Sequence, residues 1–245
     1  MQQRRHSSTA TYAVRGIVRS MARPAQRLFS IAEEQWSLLT RQQAAQAGVA
    51  PRSFARLIED GRIERVAHGV YRVRGTAEPD HLGLRAAWLQ LGPGRPAWDR
   101  VNDDAVALVS HASAAELYGV GDLRADVHEF TLPVRRQSRR PDVRLHRGRV
   151  PEEHRLLLHG LPVTRAGWTI GDLLDDAIEP DEVAQITAQV VDRVFDYPSV
   201  IAERIAPHAA RFGFRRGDGV ALLDHLLTLA AYRDREEMVA MARSR

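Results

Sequence analysis

Three polar side chains that could read a DNA base lie on one side of a short predicted helix: Arg52, Ser53 and Arg56. An arginine guanidinium can donate two parallel hydrogen bonds to the O6 and N7 atoms of guanine, and serine can bond to several bases. The apolar side chains of the same helix fall at i, i+3 and i+4, and so share the other side: Phe54, Leu57 and Ile58. The spacing predicts a helix that buries one face and offers a basic face to the major groove.

Capping and turn residues predict where this helix and the helix before it begin and end. Thr40, followed three residues later by Gln43, forms a capping box that starts a helix. Gly48 suits the left-handed residue that ends this helix, and Pro51 opens the second helix, where its missing N–H is not needed. Gly61 then ends the second helix. The pattern therefore predicts two helices joined by a tight turn.

Two runs of β-forming residues follow, at 63–66 and 70–73, and they predict a hairpin around Ala67-His68-Gly69. Helix, turn, helix and hairpin in this order are typical of a winged helix-turn-helix, whose second helix enters the major groove. We expect the first helix and the hairpin to contact flanking phosphates through a set of polar side chains: Thr40, Arg41, Gln42, Arg65, His68 and Arg72. The alternative is a small helical subdomain that binds no DNA.

The composition excludes several kinds of chemistry. The 245 residues include no cysteine and no lysine, which excludes disulfides, thiol nucleophiles, Schiff-base lysines and the lysines of P-loop or PD-(D/E)xK nuclease sites. Every basic side chain apart from histidine is an arginine, which binds phosphate through paired donors. No apolar run is long enough to span a membrane, so we expect no membrane partner. The chain resembles a bacterial protein, and the absence of cysteine favours the cytoplasm.

Arginine is concentrated in two places outside the predicted winged domain. Residues 1–27 are Arg-rich and contain no acid, which fits either a disordered basic arm or a start codon placed too early, with Met21 as the true start. The other place is a predicted loop with four arginines, which could bind DNA phosphate, RNA or an acidic partner, or could be a solvated hairpin tip: Arg135, Arg136, Arg139 and Arg140.

The rest of the chain predicts an α/β domain with a helical extension. Strands are expected at 105–109, 127–132 and 143–146, and a hairpin around His159-Gly160, whereas the pattern from residue 179 onward is helical. The C-terminal helices could form a homodimer or partner interface, although a leucine stripe is more typical of a core. We therefore predict an α+β protein with a winged helix-turn-helix at 28–75, a mixed α/β domain at 81–176 and a helical extension at 177–245.

The other polar clusters predict no enzymatic or metal site. Ser110 and His111 could suggest a nucleophile and a base, but Ser110 stands where a helix cap is expected. Residues 152–154 with His159 have no recognised metal-ligand spacing. We expect the aspartates near the end of a later helix to form a solvated face: Asp172, Asp175 and Asp176. The sequence thus predicts no catalytic residue, no metal and no cofactor.

Three blocks of sequence together resemble the AbiEi family of antitoxins. The first comprises residues 39–41, 61–63 and 69–72; the second comprises residues 109–115 with Leu117 and Gly119; the third comprises residues 160–164 and 172–174. The resemblance spans roughly residues 28–176. It implies a winged helix followed by an antitoxin domain, in a protein that represses its own operon and counteracts a co-encoded nucleotidyltransferase toxin. The implied partners are promoter DNA and that toxin.

The chain departs from the family pattern at two points. Trp168-Thr169 stands where an Arg-Thr pair is expected, and the loop at 92–104 looks inserted. Many proteins of the family that the chain resembles are encoded by stand-alone genes. Two other functions remain open: a stand-alone regulator with no toxin, and a protein-interaction module whose DNA binding is vestigial.

Overall fold

The computed structural model describes residues 23–244, so most of the predicted basic arm, including Met21, lies outside the described residues. The chain divides into two compact units, the first ending at Val106 and the second beginning at Ala107. Both units combine helices with a sheet, which confirms the α+β class. Among the described residues, no helix has the length and apolar character needed to cross a membrane.

The first unit packs helices on a small antiparallel sheet. Its described elements are α1 (Arg23–Glu34), β1 (Leu38–Thr40), α2 (Arg41–Gln46), α3 (Pro51–Glu59), β2 (Ile63–Ala67), β3 (Val70–Val73) and α4 (Leu82–Gln90). The three strands lie in the order β1-β3-β2. The core between the sheet and the helices is apolar and includes Leu28, Phe29, Leu39, Phe54 and Tyr71.

The predicted capping and turn residues are confirmed. The backbone N–H of Gln43 donates to Thr40 Oγ1 at 3.0 Å, and the Thr40 N–H donates to Gln43 Oε1 at 2.9 Å, which closes the capping box. Gly48 has φ +83° after α2, and Pro51 is the first residue of α3. Because these signals act through neighbours in sequence, the helix boundaries follow from local chemistry.

The predicted buried face of α3 is wrong at one residue. Phe54 and Leu57 are buried, and the Phe54 ring packs edge-on against Tyr71 with centroids 4.9 Å apart. Ile58, however, is 39% exposed. The helix rests on the sheet along one narrow stripe, and a residue one step beyond Leu57 turns about 100° away from it. The structure also contains strand β1, which was not predicted from the sequence because three residues are too few to show a clear alternating pattern.

Loss of the Thr40 side chain should destabilise the first unit. Thr40 is fully buried, and its hydroxyl accepts from Gln43 and donates to the Pro93 carbonyl. We expect Thr40→Ala to lower the free energy of unfolding by about 1–2 kcal/mol, because a cap is lost and a buried donor is left without its partner. Urea unfolding followed by circular dichroism measures this. Thr228→Ala, at an exposed helical position, is the matched control and should be near neutral; equal losses would contradict the capping role.

Helix α4 packs with the first unit, although the predicted second domain begins at residue 81. Trp88 is fully buried, and its ring lies edge-on to Trp36 with centroids 6.1 Å apart. The Arg100 guanidinium lies 3.8 Å from the centroid of the Trp88 ring. This large side chain is buried against Trp36, which follows α1, and against Arg100 in the loop after α4. The first unit therefore continues beyond residues 75–80, although their composition is typical of a linker.

The second unit has a mixed sheet covered by helices. Its strands are β4 (Leu108–Val109), β5 (His128–Leu132), β6 (Val143–Arg147), β7 (Arg155–Leu158) and β8 (Leu161–Thr164), and its helices are α5 (His111–Tyr118), α6 (Ala166–Asp175), α7 (Pro180–Asp192), α8 (Pro198–Ile205), α9 (Gly219–Leu229) and α10 (Arg235–Arg243). The sheet order is β6-β5-β4-β8-β7. Pairs β5–β6 and β4–β8 are parallel, whereas β7 and β8 form the predicted antiparallel hairpin.

The leucine stripe of α9 belongs mainly to the core. Leu222, Leu223, Leu226 and Leu227 are fully buried. A Cβ at Gly219 would lie 1.8 Å from the Ala202 carbonyl oxygen, so α9 and α8 approach too closely there for any side chain. This packing favours the core interpretation of the stripe over an interface.

Candidate nucleic-acid interface and a histidine–aspartate cavity

The basic face predicted for α3 is present on the surface of the first unit. Arg52, Ser53 and Arg56 are all exposed, on the side of the helix opposite to Phe54 and Leu57. Among the described residues, neither arginine forms an ion pair or a side-chain hydrogen bond. Both guanidinium groups are therefore available to an external acceptor without breaking an internal contact.

The tip of the β2–β3 hairpin brings two more of the predicted residues together. Arg65 Nη2 lies 3.2 Å from His68 Nδ1, and Arg65 Nε donates to the Ala67 carbonyl at 3.3 Å. The Arg41 N–H donates to the Gly69 carbonyl at 2.9 Å, which ties the start of α2 to the same tip. Arg41, Arg65 and His68 are all exposed, as is Gln42. The start of α2 and the hairpin tip thus form one polar surface.

Thr40 and Arg72 are not part of that surface. Thr40 is fully buried, and its hydroxyl is engaged in the capping box. Arg72 donates to Glu64 and to Glu78, and Glu64 also accepts from Arg74 at 2.9 Å. The hydrogen bond from Arg74, followed by that from Arg72, holds the pKa of Glu64 below its ordinary value. Burial and ion pairing, which cannot be seen from spacing, direct both side chains inward rather than to a phosphate.

The arginine-rich loop of the second unit is exposed at most of its predicted positions. Arg135, Arg136 and Arg139 are exposed. Arg140 instead donates to Asp142, with 2.8 Å between Nε and Oδ1, and this hydrogen bond holds the pKa of Asp142 low. Because Arg140 is committed to an internal carboxylate, the positive charge that the loop offers to a partner is smaller than the sequence predicts.

A cavity of about 260 Å³ in the second unit gathers residues that the sequence did not connect. His111 at the start of α5 and His146 on β6 stack with ring centroids 3.6 Å apart and an interplanar angle of 14°. His111 is buried, and burial, with a smaller contribution from the charge of His146, lowers its pKa to about 4. The stacked pair lines one side of the cavity.

Ser110 was predicted to cap α5 with its side chain, and that prediction is wrong. Ser110 occupies the position before α5, but its hydroxyl makes no capping hydrogen bond. It lies instead 2.9 Å from His111 Nδ1 and accepts from Thr131 Oγ1 at 2.9 Å. Thr131 is on a neighbouring strand, so this partner depends on sheet pairing and not on the local pattern.

The predicted solvated aspartate face is wrong at Asp172. This side chain is only 8% exposed, and its Oδ1 accepts from Arg204 Nη2 at 3.0 Å. Burial raises the pKa of Asp172 to about 7, although Arg204 opposes the shift. Asp175 is exposed and also pairs with Arg204. Asp176 is exposed, lines the cavity and pairs with Arg144, with 3.7 Å between Oδ2 and Nη1. The signal in the sequence was the i, i+3, i+4 spacing of the three aspartates, which does not show that one of them is buried.

Comparison with known proteins bears on the first unit. A search of curated proteins found no match to the chain. One segment of the chain matches a known protein family. This segment includes most of α1 and all of β1, α2, α3, β2 and β3. Residues 26–74 match the family described as "transcriptional regulator, AbiEi antitoxin", which is the family that the three blocks of sequence resemble.

Proposed function

We propose that the chain is a DNA-binding transcriptional regulator whose first unit is a winged helix-turn-helix. In this proposal α2 and α3 are the helix pair, α3 is the recognition helix, and the β2–β3 hairpin is the wing. The observation that carries it is that Arg52 and Arg56 on α3 are exposed and have no ion pair among residues 23–244, inside the segment that matches a family of transcriptional regulators.

The proposed docking follows from where the polar groups lie. The first half of α3 enters the major groove, where Arg52, Ser53 and Arg56 reach base edges. The exposed side chains of Arg41 and Gln42 at the start of α2 contact the phosphate backbone on one side. The wing tip, with Arg65 and His68, contacts the backbone on the other side. Thr40 and Arg72 then support the fold of this surface and make no DNA contact.

Removing the wing arginine should weaken DNA binding without changing which sequence is preferred. We expect Arg65→Ala to reduce the slope of log affinity against log salt by about 0.9, because one phosphate contact is lost. Fluorescence anisotropy with a promoter fragment at several salt concentrations measures the slope. Arg74→Ala removes the same charge from an arginine already paired with Glu64, and should change the slope much less. Equal slopes for Arg65→Ala and the unsubstituted protein would rule out the wing contact.

We further propose that the regulator represses its own operon and counteracts a nucleotidyltransferase toxin encoded beside it. The family match supports the regulatory and antitoxin setting, and the resemblance at residues 109–119 and 160–174 extends it to the second unit. The test is co-expression of the chain with the product of the adjacent gene. Rescue of growth together with a stable complex supports the antitoxin role. If the chain binds the promoter but does not rescue growth, the stand-alone regulator is the supported function. If it rescues growth but has no salt-dependent affinity for DNA, the protein-interaction module is the supported function.

A further inference from the structure

The segment that joins β5 to β6, together with β6 and the two residues after it, is strongly basic. Residues 133–149 contain seven arginines and one acid, Asp142, which already pairs with Arg140. Four of the arginines are exposed and form no ion pair or side-chain hydrogen bond among residues 23–244, and we call these four the basic edge: Arg135, Arg139, Arg147 and Arg149. No carboxylate of the described residues therefore neutralises their charge by direct contact.

The fold distributes the basic edge along one side of the sheet of the second unit. Strand β6 is the outermost strand and runs parallel to β5, so the loop 133–142 must return along the length of the strands. The Gly148 N–H donates to the Leu132 carbonyl at 3.0 Å, so this loop begins beside the residue that Arg147 and Arg149 flank. A parallel strand of five residues is about 16 Å long. Duplex DNA carries about nine phosphate charges over that length, at one per 1.7 Å.

Protection of the sheet edge does not account for all four arginines. Charged side chains on an edge strand commonly prevent pairing with the sheet of another molecule. That role suits Arg147, which is the last residue of β6. It does not apply to Arg135, Arg139 or Arg149, which lie outside the strand. Like charges that are held near one another repel, and an external anion relieves that repulsion.

The chemistry of the segment favours the phosphate backbone of duplex DNA as that anion. An arginine guanidinium binds a phosphate through paired hydrogen bonds. Surfaces that bind single-stranded nucleic acid usually stack the bases on aromatic side chains, and residues 133–149 contain no Phe, Tyr or Trp. Contacts to phosphate carry no sequence information, so this surface differs in kind from the basic face of α3.

We propose that the second unit binds the backbone of duplex DNA through the basic edge, without sequence preference. The proposal rests on the proposed function, because a regulator held at its operator has duplex DNA beside it. Helix α3 reads the sequence, and the basic edge adds affinity. Each phosphate contact releases condensed counterions, so the basic edge makes binding more dependent on salt.

The test compares two double variants of the full-length protein on a scrambled duplex, on which base reading by α3 does not contribute. Arg135→Ala with Arg139→Ala removes two charges from the basic edge. Arg215→Ala with Arg216→Ala removes the same charge from exposed positions in the same unit and is the matched control. We expect the first variant to reduce the slope of log affinity against log salt by about 1.8, at 0.9 per lost phosphate contact, and the control to change it far less. Fluorescence anisotropy at several salt concentrations measures the slope.

A second double variant keeps the test decisive if the first one does not fold by circular dichroism. Arg147→Ala with Arg149→Ala removes the other two charges of the basic edge and should reduce the slope by a similar amount. In both variants the ratio of promoter affinity to scrambled-duplex affinity should stay unchanged, because the basic edge reads no base. Equal slopes for these variants and the Arg215–Arg216 control overturn the proposal.

The proposal and the proposed function can fail separately. If Arg52→Ala loses the preference for the promoter while the basic-edge variants keep the full slope, then α3 reads DNA and the basic edge does not bind it. If the basic-edge variants keep the slope but lose the complex with the product of the adjacent gene, the surface binds an acidic protein and the proposal is wrong. It is also wrong if they lose affinity for a single-stranded RNA of equal length and none for the duplex.

Discussion

Replacing both Arg52 and Arg56 with alanine should abolish specific binding to promoter DNA. Each lost bidentate contact to a base costs about 1–3 kcal/mol, so each single variant should bind roughly 5- to 150-fold more weakly and discriminate less between sequences. Both side chains are exposed and unpaired within residues 23–244. The substitutions should therefore change the free energy of unfolding by no more than about 0.5 kcal/mol. A loss of DNA binding can then be assigned to lost recognition and not to lost folding.

A charge-matched control distinguishes base reading from general attraction to DNA. Arg216→Ala removes one positive charge from an exposed position in the second unit, at a residue that is not among those proposed to contact DNA. It should reduce affinity slightly and equally for all sequences, whereas Arg52→Ala should change the sequence preference. Competition gel shifts with promoter and scrambled fragments measure both effects. If Arg52→Ala and Arg56→Ala bind the promoter as well as Arg216→Ala does, then α3 is not the recognition helix.

Removal of the Trp88 side chain should destabilise the first unit more than removal of the Thr40 side chain does. Trp88 is fully buried between Trp36 and Arg100, and truncation of a buried tryptophan costs about 3–5 kcal/mol. Urea unfolding of the full-length Trp88→Ala variant should show this loss. The variant should also bind promoter DNA weakly, because α4 packs against the sheet that supports the wing.

Trp98 provides a control of the same residue type in the same unit. Its side chain is 41% exposed, so Trp98→Ala should cost far less than Trp88→Ala. Similar losses for the two variants would contradict the central place of Trp88 in this core. They would also weaken the assignment of α4 to the first unit, which we propose binds DNA.

Features that depend on neighbouring residues could be predicted from the sequence, and features that depend on distant contacts could not. The Thr40–Gln43 capping box and the His159-Gly160 hairpin are local, and the structure has both. Ser110 contacts Thr131, 21 residues away, and Asp172 pairs with Arg204, 32 residues away. Both side chains therefore have roles that differ from those predicted. The same limit explains Arg72, whose partner Glu64 lies on the neighbouring strand.

We propose that the first unit recognises a specific DNA sequence. The most direct measurement is the affinity of the full-length protein for its own promoter, compared with a scrambled fragment of equal length at physiological salt. We expect the promoter to bind at least about a thousandfold more tightly, as specific regulators do. Equal affinity for the two fragments would contradict sequence recognition by Arg52, Ser53 and Arg56.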